Sequence, residues 1–467
     1  MEDLIMSHTV IDVHCHFFNA KYAFAELLEI AWRSSYDEYP YKGNERQLTA
    51  SEQGSTSYDL KGLVNYVASL LGVAVKSPEK NYDDEQSAYS ASEWHPSTPL
   101  MTVPLMMDIF FVGDDGSKSV APAANGSTGA QRSMSITPEV SSSFEALAHR
   151  LKEEVLLAYQ GALRSRERGV TPVKRSRTVE RELDLVIKTM SKASSLQTRD
   201  VMDLKGGQVQ MTPGFYQHMK DLRALQKKRA ESVFPFLAVD PRRTGIEMLV
   251  QEQVIAGPFK GIKLYPPLGY LPTHPALYPI YKLCMQHDVP VTVHTSPYGF
   301  NTLCKRVQVL SKKRDGSTET ITVELSQYPS AAAYFANPNN WLEILENEKF
   351  NKLRLNFAHF GGDADIRHSA ESPGTPGNWT EQIIQLMNRF ENVYADCAFC
   401  PDSDTMNWIK EIAAREPIVK QRLMFGTDFI MVMLKYEQDG LQTYFNNYLQ
   451  AESAMVEGNA RHFLKMA

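Results

Sequence analysis

The chain has 467 residues, is 43% hydrophobic and 22% charged, and carries a net charge of −6. This composition belongs to a globular protein with a full-sized core and excludes a disordered or fibrous chain. The mild acidity supplies no global field for nucleic acid or an anionic membrane, and no apolar run reaches the ~20 residues that span a bilayer. Five scattered cysteines do not make a secreted disulfide framework. The opening segment MEDLIMSHTVIDVHCH lacks the basic-then-apolar pattern of a signal peptide, so a cytoplasmic location is expected.

In chain order, the first strand-like run is Thr9–Asn19 (TVIDVHCHFFN). An aromatic and polar insertion with helical pieces follows, over about residues 20–100, and leads to a second run at Met101–Phe111. A larger insertion covers about 112–232. Its first part, Gly113–Ser143, is rich in Ser, Gly and Ala and reads as a mobile loop. Phe144–Arg168 and Thr178–Ala193 read as amphipathic helices. The basic stretch Arg164–Arg181 has glutamates interleaved, which suits a solvated helix face better than a phosphate track.

Six further runs follow at Val233–Arg243, Phe259–Gly269, Val289–Pro297, Leu353–Gly362, Asn392–Cys400 and Arg422–Ile430. Helical spacing of apolar residues lies between and after them at Pro275–Gln286, Trp341–Lys349, Trp379–Phe390, Thr405–Arg415 and Gly440–Lys465. Alternating runs around Asp315-Gly316 predict a β-hairpin. Near-continuous apolarity suits strands buried on both faces. Eight of them alternating with helices predict an α/β fold, a (β/α)8 TIM barrel with long insertions after strands one and two, forming a single domain over 1–467.

The chemistry-bearing residues fall at particular places in that pattern. His14 and His16 alternate on the first strand, so both imidazoles can face one metal ion. Lys263 lies in the fourth run, while His294, His359 and Asp428 fall near the ends of the fifth, sixth and eighth. In a (β/α)8 barrel the carboxyl ends of all strands meet at one mouth, which brings these six residues together. Imidazoles and a carboxylate suit a divalent ion, with Zn²⁺ expected and Mn²⁺ as the alternative. Each of these polar groups interrupts an apolar strand, at a cost unless it is satisfied there.

The ordered set VHCH, GIKLYP, VTVHTSP, LNFAHFGG and FGTDF resembles the amidohydrolase superfamily of metal-dependent hydrolases. GNARHFL near the C-terminus, and FPFLAVDPRR before GIKLYPP, are similar to its branch containing aminocarboxymuconate-semialdehyde-type decarboxylases. The resemblance covers the barrel strands but neither insertion. It implies that His14, His16, His294 and Asp428 ligate the metal, with Asp428 also accepting a proton from the attacking water. His359 would then ligate a second metal or hold water or substrate. Lys263 would bridge two ions as a carboxylated lysine, as in dihydroorotase, or accompany a single ion, as in the decarboxylase branch. Phe17 and Phe18 stand where dihydroorotase carries a substrate-gripping arginine, which argues against that enzyme.

Weaker candidates have plain alternatives. Cys397 and Cys400 have CxxC spacing but read as a buried structural pair, with Asp396 and Asp402 flanking them as a polar wall. Cys15 should face the outer layer as packing. Arg242 and Arg243 follow the third strand, where either can meet a substrate carboxylate or a salt-bridge partner; Arg243, Tyr265 and Tyr298 are the substrate-binding candidates. The expected activity is metal-dependent hydrolysis of an amide, cyclic amide, ester or lactone through one or two ions. The alternatives are a metal-dependent non-oxidative decarboxylase and a non-catalytic scaffold. A small-molecule substrate is the expected partner, with no nucleic acid and no membrane; a homo-oligomer stays open.

Overall fold

The structure, a computed structural model, describes residues 9–19, 41–42, 57–58, 76–94, 99–111, 114–116, 201–204, 207–211, 213–302, 304–434 and 440–466. Each of the eight apolar runs contains a strand. These are β1 Ile11–Cys15, β2 Met101–Pro104, β3 Phe236–Val239, β4 Gly261–Leu264, β5 Val291–His294, β6 Leu355–Ala358, β7 Val393–Asp396 and β8 Leu423–Met424. Strands β3 to β8 form one parallel sheet in sequence order, and β1 pairs in parallel with β2.

Backbone contacts join these two sheets at both edges. Thr102 bridges to Val233 and Leu105 to Phe236, both in parallel, which links β2 to β3. On the other side Val13 N donates to Phe425 O at 3.1 Å, and Asp428 N donates to His14 O at 2.7 Å. The eight parallel strands therefore follow one another around a ring in chain order. Within it Ile11, Val13, Val103, Leu105, Phe236 and Met424 pack with Phe463 of the helix Asn459–Leu464. Burying a phenylalanine of this kind contributes about 1.5–3 kcal/mol. Asn459 ties that helix to the end of helix Pro417–Arg422 and to β8, because its side-chain amide donates to Leu423 O at 2.8 Å and Lys420 O at 3.0 Å.

Strand β1 carries one irregularity that matters for the site. Between Asp12 and Cys15 it uses one residue more than β2, so the pairing shifts register. Such a bulge re-aims the side chains that follow it. Ile11 and Val13 stay in the inner cluster, whereas Cys15 packs in the outer hydrophobic core, as expected for a packing residue.

Helices cover the ring. Helix α1, Pro78–Ser90, lies in the first insertion and buries Pro78, Asn81, Tyr82, Glu85 and Tyr89 along one face. Helices α2 Pro213–Lys228, α3 Leu277–Gln286, α4 Asp363–Glu371, α5 Trp379–Arg389 and α6 Thr405–Arg415 follow. Helix α5 begins where Asn378 accepts a hydrogen bond from Glu381 N at 3.0 Å, a side-chain cap that satisfies an orphan amide. The predicted hairpin forms between Arg306–Lys312 and Thr318–Glu324, with Asp315 and Gly316 in the turn.

Two helix expectations are corrected. Trp341–Lys349 is only a 3₁₀ turn, Pro338–Trp341, followed by Leu342–Leu345. Asn347 ends it, since its side chain accepts from Lys349 N at 3.0 Å and competes with the helical ladder. Gly440–Lys465 is broken once, after Gly440–Asn447, and resumes as a π-helical turn at Ala454–Gly458 that runs directly into Asn459–Leu464. Asn446 and Asn447 leave the helix pattern to bind Glu93 N and Pro401 O. The expectations for Phe144–Arg168, Thr178–Ala193, Arg164–Arg181 and most of Gly113–Ser143 lie outside the described residues. Among the described residues no helix is long and apolar enough to cross a membrane.

Candidate metal centre at the carboxyl ends of the strands

His14 is the fourth residue of β1 and His16 follows its end, both buried. Asp12 fixes their strand against β8: its carboxylate accepts from His14 N at 2.9 Å, Thr427 N at 3.1 Å and Thr427 Oγ1 at 2.5 Å. Asp428, next to Thr427, has a left-handed backbone with φ 57° that turns its side chain off the strand. Gly426 allows the close approach, since a Cβ there would lie 3.0 Å from His14 Cβ and 3.1 Å from Ala398 Cβ.

Three atoms then converge. His14 Nε2 lies 3.3 Å from His16 Nε2 and 3.4 Å from Asp428 Oδ1, and His16 Nε2 lies 3.0 Å from Asp428 Oδ1. Donors bound to one ion at ~2.0–2.2 Å in a tetrahedron sit ~3.3–3.6 Å apart, so the triangle is close to an ion's first coordination shell. The protonation pattern fits as well. His16 Nδ1 faces Leu105 O at 2.8 Å and His14 Nδ1 faces both oxygens of Asp396 at 3.3 Å. Those partners only accept, so each Nδ1 carries the proton and each Nε2 presents a lone pair. Two lone pairs and a carboxylate oxygen with no hydrogen-bond donor face one another. A cation resolves that arrangement.

The other two histidines repeat the pattern. His359 Nδ1 donates to Ala398 O at 2.9 Å, and His294 Nε2 donates to Tyr298 O at 2.6 Å. Their remaining nitrogens, His359 Nε2 and His294 Nδ1, meet at 3.0 Å. The rings of His14 and His359 lie 4.8 Å apart, so all four imidazoles form one cluster. Gly299 makes the loop over His294 feasible, because its φ is 118° and a Cβ would lie 2.8 Å from His294 Nε2.

Burial dictates the charges. It lowers His14 to about 3, helped by the neighbouring Lys263 ammonium, and lowers His294 and His359 too, so these imidazoles are neutral and fit to ligate. For Asp428 burial acts upward, but the adjoining imidazoles outweigh it and leave the carboxyl below its ordinary range. Burial lowers Lys263 to about 8, and its Nζ is buried with no hydrogen-bond partner. Lys263 and His16 open into a narrow pocket walled by Met106, Met107, Ile109, Val239, Tyr265 and Phe300, with Asp108 and Asp240 also lining it.

Residues 196–466 match the family model described as amidohydrolase. The chain belongs to the amidohydrolase family. The matched range begins after β1 and β2, so the HxH pair of this amidohydrolase lies outside it and reaches the site through the closure of the ring. No curated protein matches the chain. Among solved structures, an uncharacterised TIM-barrel protein from Bordetella bronchiseptica is similar at 17% identity, over 53% of this chain and 72% of that one, with a TM-score of 0.34. A 5-carboxyvanillate decarboxylase from Novosphingobium aromaticivorans, complexed with manganese and 4-hydroxy-3-methoxy-5-nitrobenzoic acid, is similar at 10% identity over 98% of this chain and 96% of that one, with a TM-score of 0.44.

The structure of this amidohydrolase brings His14, His16, Lys263, His294, His359 and Asp428 together at one end of the ring. Tyr265 lines the pocket and packs against His294 with ring centres 4.5 Å apart. The other two substrate candidates sit differently. Tyr298 offers His294 its carbonyl while the residue is 44% exposed. Arg243 is buried in an ion pair with Asp108 at 2.6 Å, beneath the Phe215 ring, and Arg242 pairs with Asp240 at 2.6 Å. Both guanidinium groups therefore take the salt-bridge alternative. Cys397 and Cys400 are buried free thiols, as a structural pair would be. Asp402 is exposed, whereas Asp396 is fully buried against His14. Asp12 and Asp396 were the residues whose roles sequence reasoning missed, although an aspartate two before the first histidine and one closing β7 were visible signals.

Proposed function

We propose that this amidohydrolase is a metal-dependent enzyme on a (β/α)8 barrel that removes a carboxylate from a small organic acid as CO₂ without oxidation. The residues present fit a divalent ion, by the converging lone pairs of His14 and His16 and the donor-free oxygen of Asp428. When bound there, a divalent ion supplies Lewis acidity and holds anionic oxygens. His294 and His359 offer two further nitrogens, which accommodates either one ion or two.

The observation that carries the reading is Lys263. It is a buried lysine with no hydrogen-bond partner, opening into the same pocket, and in the metal-free protein burial lowers it to about 8, so it can give up a proton near neutral pH. Burial keeps His14, His294 and His359 neutral and Asp428 is ionised, so Lys263 is the acid among these groups. In decarboxylation the carbon–carboxylate bond breaks, its electron pair stays on carbon, and a proton from Lys263 fills that position. A donor with a pKa near the working pH suits this task. The apolar walls of Met106, Met107, Ile109 and Phe300 keep water from the carbon and suit an aromatic or otherwise flat acid.

Hydrolysis is the second reading, favoured by Asp428, whose ionised carboxylate beside the histidine pair is a base. Running a panel of ¹³C-carboxyl acids, amides and lactones in D₂O with the Mn²⁺-loaded protein separates the two. Decarboxylation releases ¹³CO₂ and places solvent deuterium on carbon. Uptake of water oxygen into the product, with no CO₂, would replace this reading with the hydrolytic one.

A further inference from the structure

Asp396 closes β7 and has no exposed surface. Its Oδ1 accepts from His359 N at 3.0 Å and Ala398 N at 3.0 Å, and its Oδ2 accepts from Asn356 Nδ2 at 2.6 Å. His14 Nδ1 lies 3.3 Å from both oxygens. A carboxylate has about four lone-pair sites, and these donors use them. Although its oxygen lies within reach of His14 and His359 as a ligand atom would, it has no lone pair left for an ion. It also does not line the pocket. Its place is behind the ligands.

We propose that Asp396 is the positioning residue of the metal centre, fixing the proton of His14 on Nδ1 while clamping the peptide that starts the His359 turn. One carboxylate thereby sets the ligand tautomer on β1 and the backbone of the histidine after β6. The clamp has work to do, because His359 and Phe360 both sit in left-handed backbone, with φ of 70° and 46°. Asn356 orients the carboxylate in turn, since its amide nitrogen also reaches Thr292 Oγ1 at 3.3 Å. Partners of this kind behind a ligating histidine are worth ~10–100-fold in metal affinity.

The inference rests on His14 being an ion ligand, and the test keeps the two claims apart. Asp396→Asn has the same shape. Its oxygen keeps the two backbone donors, so its amide group takes the Oδ2 position, where Asn356 turns its unpartnered Oδ1 toward one hydrogen and the other is offered to His14 Nδ1. The imidazole proton then moves to Nε2 and blocks the ligand position. Mn²⁺ affinity, measured by calorimetry and by EPR of free Mn²⁺, should fall ~10–100-fold in Asp396→Asn. The same substitution placed in His14→Ala should cause no further loss. Unchanged affinity, or an equal further loss in the His14→Ala background, would overturn the proposal.

A second measurement covers a variant that fails to fold. In the metal-free wild-type protein, ¹⁵N NMR of histidine side chains should report His14 as the Nδ1–H tautomer. The Nε2–H tautomer would overturn the proposal without any variant. A wild-type protein that binds no Mn²⁺ but shows the Nδ1–H tautomer would instead remove the metal reading and leave the carboxylate–imidazole pairing intact.

Discussion

Glu85 of α1 is fully buried, and both of its oxygens lack a hydrogen-bond donor. It lies with Asp12 and Cys15 in a group whose side-chain ligand atoms are within 4.8 Å of one another. Burial and the adjoining Asp12 carboxyl push Glu85 well above its ordinary 4.5, and burial pushes Asp12 up to about 7. The pair therefore keeps a proton that the unfolded chain has released. With folded-state values raised, the folded protein binds more protons than the unfolded one, and stability falls as pH rises from the unfolded values toward the folded ones. The slope is about 1.4 kcal/mol per pH unit for one retained proton. Between about pH 5 and pH 7 wild type should lose on the order of 3 kcal/mol through this pair. Glu85→Gln has no proton to lose and can donate its amide to Asp12, so the part of that decline owed to the proton held by Glu85 should disappear. Urea unfolding of both proteins at matched metal loading gives the difference directly. The gap between variant and wild type should move in the variant's favour by on the order of 3 kcal/mol from the lower pH to the higher. A gap independent of pH would refute the retained proton.

Other consequences concern the mouth of the ring. Asp428→Asn keeps one oxygen for the ion but removes a base, so much of the metal should stay while any hydrolytic turnover falls by at least ~10²–10⁴-fold in a steady-state assay and ¹³CO₂ release falls only as far as the metal is lost. Gly426→Ala places a methyl 3.0 Å from His14 Cβ; it should displace His14, weaken Mn²⁺ binding and lower stability by ~1–3 kcal/mol in thermal unfolding. Lys263→Met should retain the ion bound by His14, His16 and Asp428 yet release ¹³CO₂ more than ~10²-fold more slowly. Loss of half the bound metal in that variant would show that Lys263 bridges two ions instead.

Much of this arrangement was legible in the sequence. The eight strands fall inside the eight apolar runs because strands buried on both faces need continuous apolarity, which few other segments possess. The six polar residues could be grouped because parallel strands in a closed ring share one end. Side-chain geometry was less legible. Nothing in VHCH announces the bulge in β1, since a register shift depends on the partner strand and not on local composition. Arg243 looked free to meet a substrate because its partner, Asp108, is far away in the chain. Asp396 read as a pocket wall because three of its four donors, from His14, Asn356 and His359, lie far away in the chain. The break in Gly440–Lys465 is not visible in the spacing, because Asn446 and Asn447 bind distant backbone groups there.

The central claim is that His14, His16 and Asp428 hold a divalent ion. A crystal of the Mn²⁺-soaked protein, with anomalous diffraction recorded at the manganese edge, tests it directly. The account predicts an anomalous peak ~2.0–2.3 Å from His14 Nε2, His16 Nε2 and an Asp428 oxygen. A map with no peak there, or with its manganese bound only between Asp12, Cys15 and Glu85, would contradict it.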